Sequence, residues 1–237
     1  MRCAYIEPAR DKKAREYTLV RSNRRSVAIY IRGGGLEVRA PLKAPISEID
    51  RFIASKEKWI TEKLASSNEQ AKARAGFKLG FGSLIPYRGK RYPIEAREGG
   101  RAGFDGACFF MPPYVRPVQM KDVCVKTYRL LAKIRLGARA LECAALMSSQ
   151  PPAAIKITGA RTRWGSCSSK KTVNFSWRLI LAPDEIVDYV VIHELAHLSE
   201  LNHSAKFWNI VEAALPDYRD RKKLLREHQR ALGIENW

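Results

Sequence analysis

The sequence predicts an α+β fold in which a buried helix packs on a small antiparallel or mixed sheet, after a basic, β-rich N-terminal region. Apolar residues alternate over 27–38 around a glycine turn at 33–35, which is typical of a β-hairpin. Residues 120–147 carry the apolar stripe of a long helix. Residues 184–198 follow Pro183, and from 186 to 198 they are apolar nearly all round, which indicates a buried helix.

The remaining elements place a domain boundary near residue 115. Residues 1–115 are expected to form a basic, β-hairpin-rich N-terminal region with one helix at 47–64, where Ser47 and Asp50 form a capping box. Residues 116–237 are expected to form the second domain. Its elements are the helix at 120–147, strands at 155–157 and 173–181, the helix that begins at 184 and a helix at 205–215.

The composition and charge of the chain indicate where the protein is located and what it can bind. The net charge is +19, and residues 1–100 hold 22 Lys and Arg against 11 Asp and Glu, so a nucleic acid or a nucleotide is a candidate partner of the N-terminal region. The chain has no apolar run of about 18 residues, which predicts no membrane partner. Residues 1–8 lack the apolar core of a secretion signal, and the five cysteines are scattered. We therefore expect free thiols and a cytoplasmic location.

The most informative segment is H-E-x-x-H at residues 193–197. Residues four apart lie on one side of a helix, so His193 and His197 can bind the same metal ion. Glu194 projects beside this pair and can contact a water on the metal without being a ligand, which is the general-base position of this motif. The motif predicts a zinc site on the buried helix.

The spacing of the motif leaves two candidates for the third metal ligand, His203 and Glu212. His203 would lie about 15 Å along a continuing helix from His193, so the chain must turn after His197 for His203 to reach the same ion. Asn202 tolerates a left-handed backbone and can make this bend, and Ser204 can cap the next helix. Glu212 on that next helix is the alternative third ligand.

Several ordered motifs resemble the YgjP-like metallopeptidase family of prokaryotes. They are R-W-G-S-C-S at 163–168, W-R-L-I-L-A-P at 177–183, D-Y-V-V-I-H-E-L-A-H at 188–197, N-H-S at 202–204 and F-W at 207–208, with further matches near residues 21, 38 and 89. The resemblance covers about residues 17–228 and extends to SprT-like proteases. It implies a zincin-type fold, one zinc bound by His193, His197 and His203, and Glu194 as the catalytic base.

The predicted function is therefore that of a zinc metallohydrolase, in first place a metallopeptidase. Zinc-activated water would attack a peptide carbonyl while Glu194 acts as general base. A zinc-dependent nucleotide phosphohydrolase and a nucleic-acid-associated protease remain alternatives, because the basic region could hold phosphates. A strand beside the metal helix could bind an extended peptide substrate.

Four arginines are candidate substrate-binding residues. Arg163 follows the predicted strand at 155–157 and is a candidate clamp or second electrophile. Arg21, Arg24 and Arg25 cluster at the start of the N-terminal hairpin, where they could bind a phosphate or a carboxylate.

Overall fold

The structure is a computed structural model, and residues 4–5, 16–32, 34–232 and 237 are described. They divide into two compact units, one that ends at Phe77 and one that begins at Lys78. The residues before 16, on which the expected absence of a secretion signal and the state of Cys3 depend, lie almost entirely outside the described ranges.

The first unit is a four-stranded mixed sheet with two helices. Its elements are β1 (Ala4–Tyr5), β2 (Thr18–Ser22), β3 (Ala28–Arg32), β4 (Gly35–Pro41), α1 (Ile46–Ser55) and α2 (Glu57–Gly76). The strand order is β1-β2-β4-β3, with β2 and β4 parallel and β3 and β4 forming the predicted hairpin. Alternate residues of β4 (Leu36, Val38 and Ala40) are buried against Ile49 and Ile53 of α1.

The predicted helix at 47–64 is two helices. α1 begins after Pro45, and Ser47 makes no capping hydrogen bond. The chain leaves helical geometry at Lys56, with φ −113° and ψ 10°, before α2 begins. Ile53 of α1 and Ile60 of α2 are both buried in the core of the unit.

The second unit contains two small sheets and four helices. Its elements are β5 (Leu84–Tyr87), β6 (Lys90–Ala96), β7 (Gly103–Phe104), β8 (Phe109–Met111), α3 (Pro117–Leu146), β9 (Ala154–Thr158), β10 (Gly165–Cys167), β11 (Thr172–Ser176), a 3₁₀ turn (Trp177–Leu181), α4 (Asp184–Ala196), α5 (Ala205–Ala214) and α6 (Tyr218–Leu232). One sheet has the order β5-β6-β8-β7 and the other β10-β11-β9. In the second sheet β10 is antiparallel and β9 parallel to β11.

The unit boundary differs from the predicted one near residue 115, since β5 to β8 belong with the second unit. The hydroxyl of Tyr128 on α3 donates to the carbonyl oxygen of Pro86 at 2.6 Å. The ring of Phe109 packs edge-on against that of Tyr128 with centroids 5.2 Å apart, and the indole of Trp177 stacks on Tyr128 at 5.5 Å. These contacts join β5, β8 and the 3₁₀ turn to α3 in one core.

The predicted strand at 173–181 ends at Ser176. Trp177 and the three residues 179–181 are all buried, which an alternating strand cannot achieve when only one of its faces packs on the core. The 3₁₀ turn places these consecutive apolar side chains in the core, and Pro183 then precedes α4.

α3 holds α4 through ion pairs. The guanidinium of Arg139 donates two hydrogen bonds to the carboxylate of Asp188, from Nε at 2.6 Å and from Nη2 at 2.9 Å. Arg135 of α3 and Arg88 of the β5–β6 turn both donate to Asp184 in the first turn of α4. The helix that carries the metal motif is thus anchored at its N-terminal half.

Four of the five cysteines lie in the described part of the chain. Cys108, Cys124, Cys143 and Cys167 are free thiols, and burial raises the pKa of Cys124 to about 12. Among the described helices none is both long and apolar enough to cross a bilayer. The expected α+β class with small mixed sheets is confirmed.

Candidate metal centre

α4 places three functional side chains of H-E-x-x-H. His193 and Glu194 lie in its last turn, and His197 is the residue at which the helix ends. The rings of His193 and His197 have centroids 5.0 Å apart, as expected for residues one turn apart on the same side. The buried apolar surface of α4, from Ile186 to Leu195, fixes the rotation of the helix that presents this pair.

The chain turns back after His197, which brings His203 to the same place. The amide of Glu200 donates to the carbonyl of Ala196 at 3.0 Å in the turn that follows α4. Asn202 does not adopt the left-handed backbone that we expected of it. Its side-chain oxygen instead accepts a hydrogen bond from the amide of Ser204 at 2.9 Å, and Ser204 caps α5 as predicted.

The three imidazoles converge. One ring nitrogen from each of His193, His197 and His203 lies within 4.8 Å of the others, and the two Nε2 atoms of His193 and His203 are 3.1 Å apart. Nδ1 of His197 lies 3.0 Å from the carbonyl oxygen of Glu200. With the proton on Nδ1, this hydrogen bond leaves the Nε2 lone pair free for a metal ion.

The electrostatics of the cluster fit a metal ion. Burial, and after it repulsion from His197, His203 and Lys222, lowers the pKa of His193 to about 3. Burial, and after it repulsion from His197 and Lys222, also lowers the pKa of His203. Neutral imidazoles with free lone pairs are the form that binds a metal. Three histidines in this arrangement match the ligand set of a catalytic zinc, which keeps a fourth position open.

Two aromatic residues of α5 support the histidines. Phe207 is fully buried, and its ring lies 4.4 Å from that of His197 and 4.9 Å from that of His193. Trp208 stacks on His203 at 5.8 Å with an interplanar angle of 29°. The exposed ring of His203 is therefore held from one side by an indole.

The side chain of Glu194 projects from α4 onto β10. It is 6% exposed, and its side chain touches the backbone of Gly165: a Cβ added there would lie 2.5 Å from Cγ and 2.6 Å from Oε1 of Glu194. Burial raises the pKa of Glu194 to about 7, and the positive charge of Arg163 acts in the opposite direction. The carboxyl group can therefore both take up and release a proton near neutral pH.

Arg163 is near this site, but its predicted role stays a prediction. It lies at the surface and lines a small cavity of about 120 Å³ together with Ser166, Asn174 and Ser176. Within the described ranges the structure shows no ion pair for its guanidinium. Arg163 is thus close enough to affect Glu194 and is available to a substrate.

Glu212 and the three N-terminal arginines are the other candidate residues of the sequence analysis. The carboxylate of Glu212 is 3.7 Å from Arg219, and Glu212 is not among the residues whose ligand atoms converge. Arg21 belongs to the first unit, where its Nη1 donates to the carbonyls of Pro41, Leu42 and Ala44 at 2.8–3.1 Å. Arg24 and Arg25 belong to the same unit, and a role in substrate binding stays a prediction for all three.

Two residues with clear effects on the site had no role in the sequence analysis. Lys222 of α6 lies over the ring of Trp208 at 4.4 Å, and its charge lowers the pKa of His193 and His203. Gly165 contacts Glu194 as described above. Gly165 lies between the strands predicted at 155–157 and 173–181, and the strand β10 that contains it was not predicted. A glycine inside a strand signals close backbone approach, so this signal depends on recognising β10.

A family model and solved structures match parts of the chain. A comparison with the curated proteins gives no match. Among solved structures the chain is similar to the crystal structure of the metallopeptidase zymogen abylysin of Pyrococcus abyssi, with 21% identity and a TM-score of 0.37 over 39% of this chain and 93% of that one. The chain is also similar to the crystal structure of the metallopeptidase zymogen jannalysin of Methanocaldococcus jannaschii, with 20% identity and a TM-score of 0.35 over 39% of this chain and 95% of that one. The family model described as YgjP-like, metallopeptidase domain, matches residues 25–228. The chain therefore belongs to the YgjP-like metallopeptidase family.

Proposed function

We propose that this protein is a zinc-dependent peptidase in which His193, His197 and His203 hold the metal ion. The observation that carries the proposal is the convergence of one ring nitrogen from each histidine within 4.8 Å, beside a buried glutamate. When bound, zinc supplies Lewis-acid chemistry, since it polarises a carbonyl group and lowers the pKa of a coordinated water.

Glu194 is proposed as the general base. As water attacks the scissile carbonyl carbon, the carboxylate takes a proton from that water and then passes it to the leaving amine. Its buried position beside Gly165 keeps the pKa near 7, so the carboxyl group exchanges this proton readily at neutral pH. A carboxylate in water, with a pKa of about 4.3, would be a much weaker base.

The edge of β10 is proposed as the substrate platform. Within the described part of the chain β10 pairs only with β11, which leaves its other edge open for an added strand. Gly165, at the start of β10, contacts Glu194, so a peptide that extends the sheet there would pass next to the base.

Arg163 is proposed as the substrate clamp. It is exposed beside a polar cavity, and its charge reaches Glu194. A guanidinium at this place can bind a carboxylate of the peptide through two parallel hydrogen bonds, or donate to a carbonyl oxygen of its backbone. Its loss should raise KM more than it lowers kcat.

Peptide chemistry is favoured over nucleotide hydrolysis by the family membership. The phosphohydrolase and nucleic-acid-associated alternatives, the binding of phosphate by the N-terminal arginines and a cytoplasmic location remain predictions from the sequence.

The test is hydrolysis of a mixed peptide library by the zinc-loaded protein, followed by mass spectrometry, with nucleoside triphosphates assayed in parallel. We expect peptide cleavage that Glu194→Gln reduces by about two to four orders of magnitude, the usual contribution of a general base. Release of phosphate or pyrophosphate without peptide cleavage would contradict the peptidase proposal.

A further inference from the structure

One surface of the second unit is strongly basic and takes no part in the metal site. It combines one side of α3 with β9 and the segment that follows β9. We call it the basic row. Its members are Lys121, Lys126, Arg129, Lys133, Lys156 and Arg161. Most of these side chains are exposed, and within the described residues none of the six pairs with a carboxylate.

The middle of the basic row is concave. A groove of about 600 Å³ lies between α3 and β9. Arg129, Lys133 and Gly137 of α3 and Ile155, Lys156 and Ile157 of β9 line it. Cations from two elements at one concave surface can bind an anionic chain at several points along its length.

The positive charges are close enough to repel each other. A terminal nitrogen of Arg129 lies 2.8 Å from where a Cβ of Gly159 would be, and Arg178 donates to the carbonyl of the same glycine at 3.1 Å. Burial and then repulsion from Arg161 and Arg129 lower the pKa of Arg178, whose guanidinium also donates to the main-chain oxygen of Trp237.

Lys121, at the other end of the basic row, also lies close to other positive charges. Burial, and after it the charge of Arg161, lower its pKa, while the neighbouring Asp122 acts in the opposite direction. Asp122 is the acidic residue that offsets this end of the row. An anionic ligand along the row would relieve the remaining repulsion.

The length of the basic row indicates which kind of anionic ligand it can bind. From Lys121 to Lys133 the helix rises by about 18 Å, which is longer than a single phosphate group can span. Nucleic acids carry one charge every few ångströms along the strand, and Lys and Arg bind their phosphates without reading the sequence. We propose that the basic row binds the phosphodiester backbone of a single nucleic-acid strand, with the strand lying in the groove between α3 and β9.

The test measures binding of a fluorescent oligothymidylate of about twenty nucleotides to the full chain by anisotropy over a range of salt concentrations. The variant replaces three groove cations, Arg129→Gln, Lys133→Gln and Lys156→Gln. The matched control removes the same charge from three exposed lysines outside the row, Lys90→Gln, Lys170→Gln and Lys223→Gln. Thermal unfolding and peptide cleavage of both variants show that the fold and the metal site are intact.

We expect the groove variant to bind at least about tenfold more weakly, and the slope of log K against log salt to decrease by about 2, because each single-strand phosphate contact contributes about 0.7. The control should stay within about twofold of wild type and keep its salt slope. Equal weakening by both variants would overturn the proposal, since net charge alone would then explain binding. Tighter binding to phosphatidylserine vesicles than to the oligonucleotide would overturn it too. The exposed Leu130, next to Arg129 in α3, makes that comparison a stringent one.

Discussion

The side chain of Glu194 packs directly on the backbone of Gly165, so that a Cβ added at residue 165 would lie 2.5 Å from Cγ and 2.7 Å from Cδ of the glutamate. Real Cβ atoms do not approach other heavy atoms this closely, so one of the two partners would have to move. The absence of a side chain at 165 therefore fixes where the carboxyl group lies relative to the three histidines.

Gly165→Ala is expected to lower kcat about 10- to 100-fold, because a displacement of the base by about 1 Å is costly. Zinc content should not change, since residue 165 is not one of the three histidines proposed as ligands. Steady-state kinetics together with metal analysis provide the measurement.

Gly137→Ala is the matched control, because a Cβ at this position in α3 meets nothing within 4 Å. It should keep full activity and raise the free energy of unfolding by about 0.5–1 kcal/mol, as expected for Gly to Ala inside a helix. Unchanged kcat in Gly165→Ala would show that the contact with Glu194 has no role in positioning it.

Trp208→Ala is expected to weaken zinc binding about tenfold or more, because the indole that stacks on His203 restrains an otherwise exposed ligand. A competition titration with a fluorescent zinc chelator measures this change. Tyr114→Ala, which removes an aromatic residue that is 72% exposed, is the control and should bind zinc like the wild type. Wild-type affinity in Trp208→Ala would argue against the supporting role of α5.

Acid should destabilise the protein partly through Asp184. Burial alone would raise the pKa of Asp184, but hydrogen bonds from Arg88 and Arg135 and their charges outweigh burial and lower it. A carboxyl group with a lowered pKa in the folded state stabilises the protein above its ordinary pKa of about 3.9. This contribution is lost as the pH falls below that value towards the folded-state pKa.

We therefore expect Asp184→Asn to unfold at a lower temperature than wild type at pH 7, and the difference to shrink between about pH 5 and pH 2. Differential scanning calorimetry over this range tests it. A constant difference at all pH values would mean that the ionised carboxylate does not account for the effect.

Local patterns were sufficient to predict the parts of the site that lie close together in the chain. The positions of His193 and His197 follow from helix periodicity, and Ser204 caps α5 as its residue type predicts. These relationships span ten residues or fewer, and the geometry of one helix or one cap determines them.

Contacts between distant segments could not be predicted in the same way. Gly165 and Glu194 are far apart in the chain, and Tyr128 reaches Pro86 over 42 residues. The second contact joins β5 to α3, and the second unit of the structure begins at Lys78, whereas the predicted boundary lay near residue 115. The basic row was missed for the same reason. Counting charges along the chain gave the largest excess in residues 1–100, whereas the row combines residues from α3 and from β9 onwards.

The most direct test of the proposed metal centre is the zinc content of the purified protein, measured by mass spectrometry for wild type, His203→Ala and Glu194→Gln. We predict about one zinc per chain in wild type, retention in Glu194→Gln, which changes no ligand, and loss in His203→Ala, which leaves two. Full zinc content in His203→Ala would contradict the three-histidine site and return Glu212 as the third ligand. The absence of zinc from the wild-type protein after incubation with the metal would contradict the account as a whole.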